Sequence, residues 1–287
     1  MAEAPSTDLC VLADAYLAGH EVRAIENAVR TAGVDVSLVV VNEPVDGDDP
    51  DAEAAAINDG IGLDALSVIA SVLERERWWS LVVADKQIAA LLGSAAADET
   101  RVPVEEVPCF EDAEIRHVTA RRDGAWSELP AEAVDAVRER CDVAVRYGFG
   151  LLRGDVLDAP ECGVLSFHPA DIRRYRGLGP PMAWIEGRET VGVTLQRLTA
   201  EIDAGEVVAF EEVDVRECAT LWEVYDTVHD AEVGLLAEGI RTLRDPETEP
   251  TVVDALGPYY PTTRRRELPF AATVLWRNLA GRARRLR

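Results

Sequence analysis

The alternation of apolar runs with a helical stripe near the N-terminus does most to constrain the fold. Residues 9–13 and 34–41 are almost continuously apolar, and between them apolar side chains recur at helical spacing, at Val22, Ile25, Ala28 and Val29. Short continuous apolar runs are typical of strands buried on both faces. The order strand, helix, strand is typical of a parallel pair joined by a crossover helix. This segment therefore predicts an α/β fold.

The same alternation continues along the chain. Further strands are predicted at residues 142–148, 163–167, 190–198 and 206–215, and further helices at 131–140, near 182–186 and at 220–244. Together they predict an open, mostly parallel, Rossmann-like sheet with right-handed crossovers. Asp123-Gly124 predicts a hairpin turn, and the acidic residues 43–56 predict a loop. One or two helices are predicted within 63–92, although the run SLVVAD inside it also fits a strand.

Composition limits the class of protein. Asp and Glu total 53 against 29 Lys and Arg, a net charge of −24, and Lys86 is the one lysine. We interpret this acid excess as adaptation to high salt, and it disfavours binding of nucleic acid by the main body. The absence of an apolar run of about 18 residues and of a signal-peptide pattern at the N-terminus predicts a cytoplasmic protein. Five widely separated cysteines predict buried thiols and no metal.

The C-terminal region reverses the charge. Residues 262–287, the basic tail, contain eight arginines and one acid. Apolar residues there sit near helical spacing, at Phe270, Val274, Leu275, Leu279 and Leu286, which predicts a basic amphipathic helix. We expect a catalytic domain over residues 1–245, then a proline-containing linker and tail over 246–287. Docking on the protein's own body, on a second subunit or on a membrane surface all remain open for the tail.

Two predicted strand ends are candidate ligand sites, because open α/β sheets bind ligands beyond the carboxyl ends of their strands. The first is followed by five residues suited to close backbone approach of a flat ligand, with some apolar contact: Gly148, Phe149, Gly150, Leu151 and Leu152. Their spacing is not that of a dinucleotide-binding GxGxxG motif. A glycine-rich turn without ligand is the alternative.

The second strand end carries Ser166 and His168, whose side chains lean to the same side of an extended strand. Asp203 follows a later strand, where its carboxylate could reach the imidazole. A histidine beside a carboxylate and a hydrogen-bonding side chain can polarise a carbonyl, stabilise its oxyanion and move a proton. The alternative is a structural histidine.

Four linked blocks raise the specificity of this pattern. His168-Pro169, Tyr175-Arg176-Gly177, Gly192-Val193-Thr194 and Asp203-Ala204-Gly205-Glu206 occur in this order over about 40 residues. In that order and spacing they resemble the formyltransferase family. The resemblance implies a formyltransferase-like fold and transfer of a formyl group from 10-formyltetrahydrofolate to a primary amine, without a metal.

The resemblance also assigns roles to residues. It implies that His168 and the residue at position 166 hold the formyl oxygen, that Asp203 orients His168 and relays a proton, and that the loop 148–152 cradles the pteridine. Arg173, Arg174, Arg176 and Gly177 are candidate acceptor-binding residues, since arginines match a phosphate. A loop-fixing role for Arg176, and a solvated pair for Arg173 and Arg174, are the alternatives.

Position 166 departs from the family pattern, which has asparagine there. Loss of an oxyanion donor costs roughly 2.7–4 kcal/mol of barrier, so the serine leaves a rearranged site or a different reaction open. A small amine, such as a sugar-nucleotide amine, is the expected acceptor, and tRNA is disfavoured by the acidic body and by the short region after residue 245. A formyltetrahydrofolate hydrolase, a methionyl-tRNA formyltransferase-like enzyme and a non-catalytic folate-binding module are the rival functions.

Overall fold

A computed structural model describes residues 7–43, 74, 76–91 and 100–285. Within these residues the chain forms fourteen strands, which in chain order are β1 Thr7–Ala13, β2 Tyr16–Ala18, β3 Val34–Asn42, β4 Arg101–Pro103, β5 Glu114–Val118, β6 Arg121–Asp123, β7 Trp126–Glu128, β8 Val143–Arg146, β9 Leu151–Leu152, β10 Val164–His168, β11 Arg176–Gly177, β12 Thr190–Arg197, β13 Glu206–Asp214 and β14 Tyr259–Tyr260. The same residues form six α-helices: α1 Gly19–Ala32, α2 Trp79–Leu91, α3 Ala131–Arg140, α4 Pro180–Glu186, α5 Leu221–Arg244 and α6 Leu268–Arg285.

Seven of the strands form one sheet, in the order β13-β12-β10-β8-β1-β3-β5. Five neighbours, β10, β8, β1, β3 and β5, run parallel, while β12 is antiparallel to both of its neighbours. The predicted mostly parallel α/β sheet is therefore confirmed. Buried apolar side chains cover both faces of the sheet in two clusters, as expected for parallel strands.

Most predicted elements appear close to their predicted bounds. α3 has the predicted ends, α5 follows Thr220, and β6 and β7 pair across the predicted hairpin turn. Thr220 caps α5 by accepting a hydrogen bond at Oγ1 from the Glu223 amide at 3.3 Å. The ambiguous run SLVVAD lies within α2. The predicted acidic loop, and the part of the predicted helical stretch before residue 74, fall almost wholly outside the described residues.

The chain after α5 returns to the body. β14 pairs in parallel with β11, and the Leu178 amide donates to the Tyr260 carbonyl at 2.9 Å. α6 buries Phe270, Ala271 and Val274 against the apolar core. These contacts place one face of the basic tail on residues far away in sequence.

Polar contacts hold α6 in register. Buried Asn278 accepts a hydrogen bond from the Leu221 amide at 2.9 Å and donates to Asp85 at 2.9 Å. Arg282 pairs with the same Asp85 at 2.6 Å, and Arg285 pairs with Glu223.

Among the helices that the structure describes, none combines the length and the apolar character needed to cross a bilayer.

We expect Gly281→Ala to lower the free energy of unfolding by about 1–3 kcal/mol, the usual cost of overpacking. A Cβ at Gly281 would lie 1.9 Å from the Ala219 carbonyl oxygen, a backbone atom that cannot move without shifting α5 or α6. Urea titration at fixed salt measures the change. Gly234→Ala in α5 is the matched control, because nothing lies within 4 Å of its Cβ position. It should stabilise the protein through helix propensity, and equal effects of the two substitutions would contradict the predicted contact.

The cysteines are free thiols, as the sequence predicts. Cys10, Cys141 and Cys218 are buried, while Cys109 and Cys162 are half-buried. The prediction of burial is therefore correct for three of the five, and incomplete for the two that lie near the surface.

Candidate functional site

The carboxyl ends of β8 and β10 lie side by side. β10 ends at His168, two residues after Ser166, and Ser166 stands opposite Arg146 in the parallel register with β8. Ser166 is 1 % exposed and His168 is 4 % exposed. The sheet therefore holds both side chains at the end where open α/β folds bind ligands.

His168 contacts Asp203 through one ring nitrogen. Nδ1 lies 3.4 Å from Oδ1 of Asp203, and Nε2 lies 2.8 Å from the carbonyl oxygen of Tyr175. Because a carbonyl can only accept a hydrogen bond, Nε2 carries a hydrogen. The other ring nitrogen, Nδ1, faces the Asp203 carboxylate. Because two lone pairs repel each other, this contact is attractive only when a proton lies between Nδ1 and the carboxylate. We call this contact the imidazole–carboxylate pair.

The loop that carries Asp203 is tied to the loop after β10. The Gly177 amide donates to Oδ2 of Asp203 at 2.7 Å. The Arg176 guanidinium donates to the Ile202 carbonyl at 3.0 Å and to the Glu201 carboxylate at 2.8 Å. Asp203 takes a φ of +46°, which is uncommon for a residue other than glycine. Arg176 and Gly177 thus hold the Asp203 carboxylate in place in this structure.

Ser166 contacts a residue that our sequence analysis did not single out. Its Oγ accepts hydrogen bonds from Nε of Arg146 at 3.1 Å and from Nη2 at 2.7 Å. Burial lowers the pKa of the Arg146 guanidinium, while the Asp203, Asp14 and Glu21 carboxylates act in the opposite direction. Within the site, Ser166 is therefore hydrogen-bonded to the positively charged guanidinium of Arg146. In the sequence, Arg146 is the first residue of RYG at the end of a predicted strand, and nothing there places it next to Ser166.

The glycine-rich loop after β8 packs closely against the end of β1. A Cβ at Gly148 would lie 2.2 Å from the Asp14 amide nitrogen, so only glycine fits there. Phe149 is 1 % exposed and lies in the core, with its amide donating to Asp14 at 3.1 Å. Leu152 is buried as well, while Gly150 is exposed and Leu151 is half-buried. The Phe149 and Leu152 side chains, expected to offer apolar contact to a ligand, are thus turned inward, and Gly150 with part of Leu151 forms the accessible part of the loop.

Arg173 and Arg174 contact acidic residues outside the imidazole–carboxylate pair. Arg173 pairs with Asp171 at 2.7 Å and lies over the Phe210 ring at 4.4 Å, and Arg174 is 3.7 Å from both Asp171 and Glu212. Their charges are therefore matched by nearby acids, whereas Arg176 belongs to the site's own loops.

A cavity of about 370 Å³ opens beside the loop that carries Asp203. It is lined by residues from four segments, Trp126, Arg176, Ala200, Glu201, Ile202 and Tyr259. Trp126 stands opposite Leu151 in the pairing of β7 with β9. The cavity thus lies between the glycine-rich loop's partner strand and the residues that precede Asp203. With its side chain 18 % exposed, Asp203 is also the more accessible member of the imidazole–carboxylate pair.

Sequence comparison connects this site to known proteins. The family model described as "Formyl transferase" matches residues 79–240, more than half of the chain. The methionyl-tRNA formyltransferase of Ralstonia pickettii is 36% identical over 111 residues, which cover 38% of this chain and 34% of that protein. The chain spans roughly a third to two fifths of the length of the curated relatives it matches first.

Solved structures share the fold. A sugar N-formyltransferase from Shewanella sp. FDAARGOS_354 aligns with a TM-score of 0.52 at 15% identity, over 90% of this chain and 78% of that one. A formyltetrahydrofolate deformylase from Pseudomonas syringae pv. tomato aligns with a TM-score of 0.51 at 15% identity, over 87% of this chain and 67% of that one. At this identity the likeness concerns the fold.

Proposed function

Because this chain belongs to the formyl transferase family, we propose that it transfers a formyl group from 10-formyltetrahydrofolate to the primary amine of a small acceptor. Residues 1–245 form the catalytic domain in this proposal, and residues 246–287 support it. His168, Asp203 and Ser166 carry the reaction, and the loop 148–152 receives the donor.

The imidazole–carboxylate pair is the observation that carries the proposal. Nε2 of His168 is committed to the Tyr175 carbonyl at 2.8 Å, so Nδ1, which faces Asp203 at 3.4 Å, is the nitrogen that can exchange a proton. Formyl transfer needs such a group. The amine attacks as a neutral nucleophile and must lose a proton, and N10 of the departing tetrahydrofolate must gain one.

The steps balance without a further reagent. The amine nitrogen forms a bond to the formyl carbon, whose C=O becomes a tetrahedral oxyanion. A proton then passes from the attached ammonium, through Nδ1 of His168 and Asp203, to N10, and the bond between the formyl carbon and N10 breaks. The products are the N-formyl amine and tetrahydrofolate. General acid–base groups of this kind typically contribute about 10²- to 10⁴-fold to the rate.

Ser166 and Arg146 supply what the family's asparagine would supply. Arg146 donates twice to the Ser166 oxygen, at 3.1 and 2.7 Å, and thereby occupies its acceptor sites. The hydroxyl hydrogen is left to donate, and the Phe167 carbonyl that can accept it lies 3.4 Å away, which is long for such a bond. The hydroxyl is thus available to the formyl oxygen, with a guanidinium behind it to stabilise negative charge.

A small amine fits the charge of the molecule better than a nucleic acid does. The chain has a net charge of −24 although its tail is basic, and the arginines that follow His168 are paired with acids or with the Asp203 loop. An acidic protein surface repels a polyanion and does not displace the counterions bound to it. The fold shared with a sugar N-formyltransferase makes sugar-nucleotide amines the first acceptors to test.

The proposal is tested by following donor and product together. Purified protein is incubated in molar KCl with 10-formyltetrahydrofolate and with each of a panel of amino-sugar nucleotides, and tetrahydrofolate, N-formyl product and formate are measured. Tetrahydrofolate release that depends on the amine and matches the N-formyl product is expected. Formate release that is independent of the amine would identify a hydrolase. Donor binding without turnover, measured by calorimetry, would identify a binding module.

A further inference from the structure

Two histidines and a glutamate, His20, His229 and Glu232, lie close together between α1 and α5. None of them has a role in the proposed transfer reaction. His20 lies in the first turn of α1, while His229 and Glu232 are three residues apart on one face of α5. Nε2 of His20 is 3.5 Å from Oε2 of Glu232. The His20 and His229 rings stack with their centroids 3.9 Å apart. One ligand atom from each of the three lies within 4.8 Å of the others.

Glu232 is buried without a cationic side chain beside it. It is 5 % exposed, and across the part of the chain that the structure describes its ion-pairing contact is to His20 alone. Buried carboxylates are normally paired with a cation or coordinate a metal.

The buried His20 ring also has a polar atom without a partner among the described residues. It is 9 % exposed, and its Nδ1 is buried with no hydrogen-bond partner among the described residues. A polar atom left unpaired in the interior destabilises the fold unless a ligand or an ion changes what the ring binds. A buried carboxyl group and a buried imidazole with one unpaired ring nitrogen thus lie in one cluster.

We propose that His20, His229 and Glu232 bind a divalent transition-metal ion, with zinc the best match. Two imidazole nitrogens and one carboxylate oxygen are ligands that zinc accepts, and they leave a fourth tetrahedral position for water. Magnesium and calcium, which prefer oxygen ligands only, match the set less well.

Binding requires one side chain to move. Zinc ligands at about 2.0–2.2 Å from the metal lie roughly 3.3–3.5 Å from one another in a tetrahedral site, so the 3.5 Å between His20 and Glu232 already fits. The His229 ring has to tilt out of the stack, since the rings are parallel to within 1° and their lone pairs do not converge. His229 is half-buried, which gives the ring room to rotate and the ion a path from solvent.

The two helices are already held together around the cluster. Asn27 of α1 donates to the Val233 carbonyl of α5 at 2.9 Å, and Arg23 pairs with Asp230 at 3.2 Å. The ligands are thus brought together before an ion arrives. The ion would cross-link α1 and α5 at the same end of the sheet as the reaction centre.

Metal binding to the full-length protein tests the proposal. Protein stripped with a chelator is titrated with Zn²⁺ and, separately, with Co²⁺. One equivalent of zinc should remain after gel filtration, and the cobalt complex should show the visible absorption of a four-coordinate ion. His229→Gln and Glu232→Gln should each weaken zinc binding at least about tenfold, since even indirect partners of a metal contribute that much. The control His117→Gln removes an exposed imidazole that lies beside Glu43 and Glu105, and binding should not change.

A measurement without variants guards against misfolding of the substituted proteins. In the wild type, NMR of the imidazole nitrogens should show zinc-dependent shifts for His20 and His229 and none for His117. Failure to retain zinc, shifts confined to His117, or an equal loss of binding in His117→Gln and in the ligand variants would each overturn the proposal.

Discussion

Replacing His168 with alanine is expected to lower kcat for formyl transfer by about 10²- to 10⁴-fold, the range in which positioned proton-transfer groups contribute. The substitution removes the one nitrogen, Nδ1, that faces the Asp203 carboxylate at 3.4 Å. Asp203→Asn should produce a loss within the same range, because an amide cannot take the proton. Steady-state rates at saturating donor and amine give both values.

The double variant, His168→Ala with Asp203→Asn, gives a stricter test of whether the two residues act together. If they relay one proton, the double variant should lose little more than the worse of the two single variants, since groups that act together are not additive. His117→Gln, which removes an imidazole outside the site, should leave kcat unchanged. Multiplicative losses would mean independent roles, and a His168→Ala rate close to that of the wild type would remove the histidine from the reaction.

Arg146→Met is expected to lower kcat by about 10²- to 10³-fold, the usual effect of losing an oxyanion donor. The guanidinium acts through Ser166, to which it donates at 3.1 and 2.7 Å. Ser166→Ala should therefore cause a similar loss, and the double variant should be no slower than either single one. The KM for the amine should change much less than kcat in all three variants.

A control for Arg146 is available on the surface. Arg121 pairs with Glu128 while its side chain is 73% exposed, so Arg121→Met removes a charge without touching the site and should leave kcat unchanged. Circular dichroism distinguishes loss of activity from loss of fold. Full activity of Ser166→Ala alongside an inactive Arg146→Met would show that Arg146 acts by another route.

Hydrophobic periodicity was enough to predict most of the strands and helices around the sheet. α5 is a clear case, since a long amphipathic stripe marks its course. The run SLVVAD could not be assigned from the sequence, because six apolar-rich residues suit either structure. Its helix is decided by tertiary packing, with buried Val82 and Trp79 facing the core that α6 completes.

The candidate site was predictable only where its residues are close in sequence or fall in a recurring motif. The approach of His168 to Asp203 follows from the linked blocks that mark the family. Arg146 was missed because its role depends on β8 and β10 being neighbours, which a sequence without a sheet order does not reveal. His20 and His229 were beyond reach for the same reason, as only the packing of α1 on α5 brings them together.

The short pairing of β11 with β14 joins the last part of the chain to the reaction centre. Tyr260 holds the Leu178 amide next to Gly177, whose own amide fixes the Asp203 carboxylate. The position of the Asp203 carboxylate thus depends on two distant stretches of polypeptide, although residues 259 and 260 are not among those proposed to meet the formyl group. Displacement of β14 would therefore reach the Asp203 carboxylate through the Leu178 and Gly177 backbone.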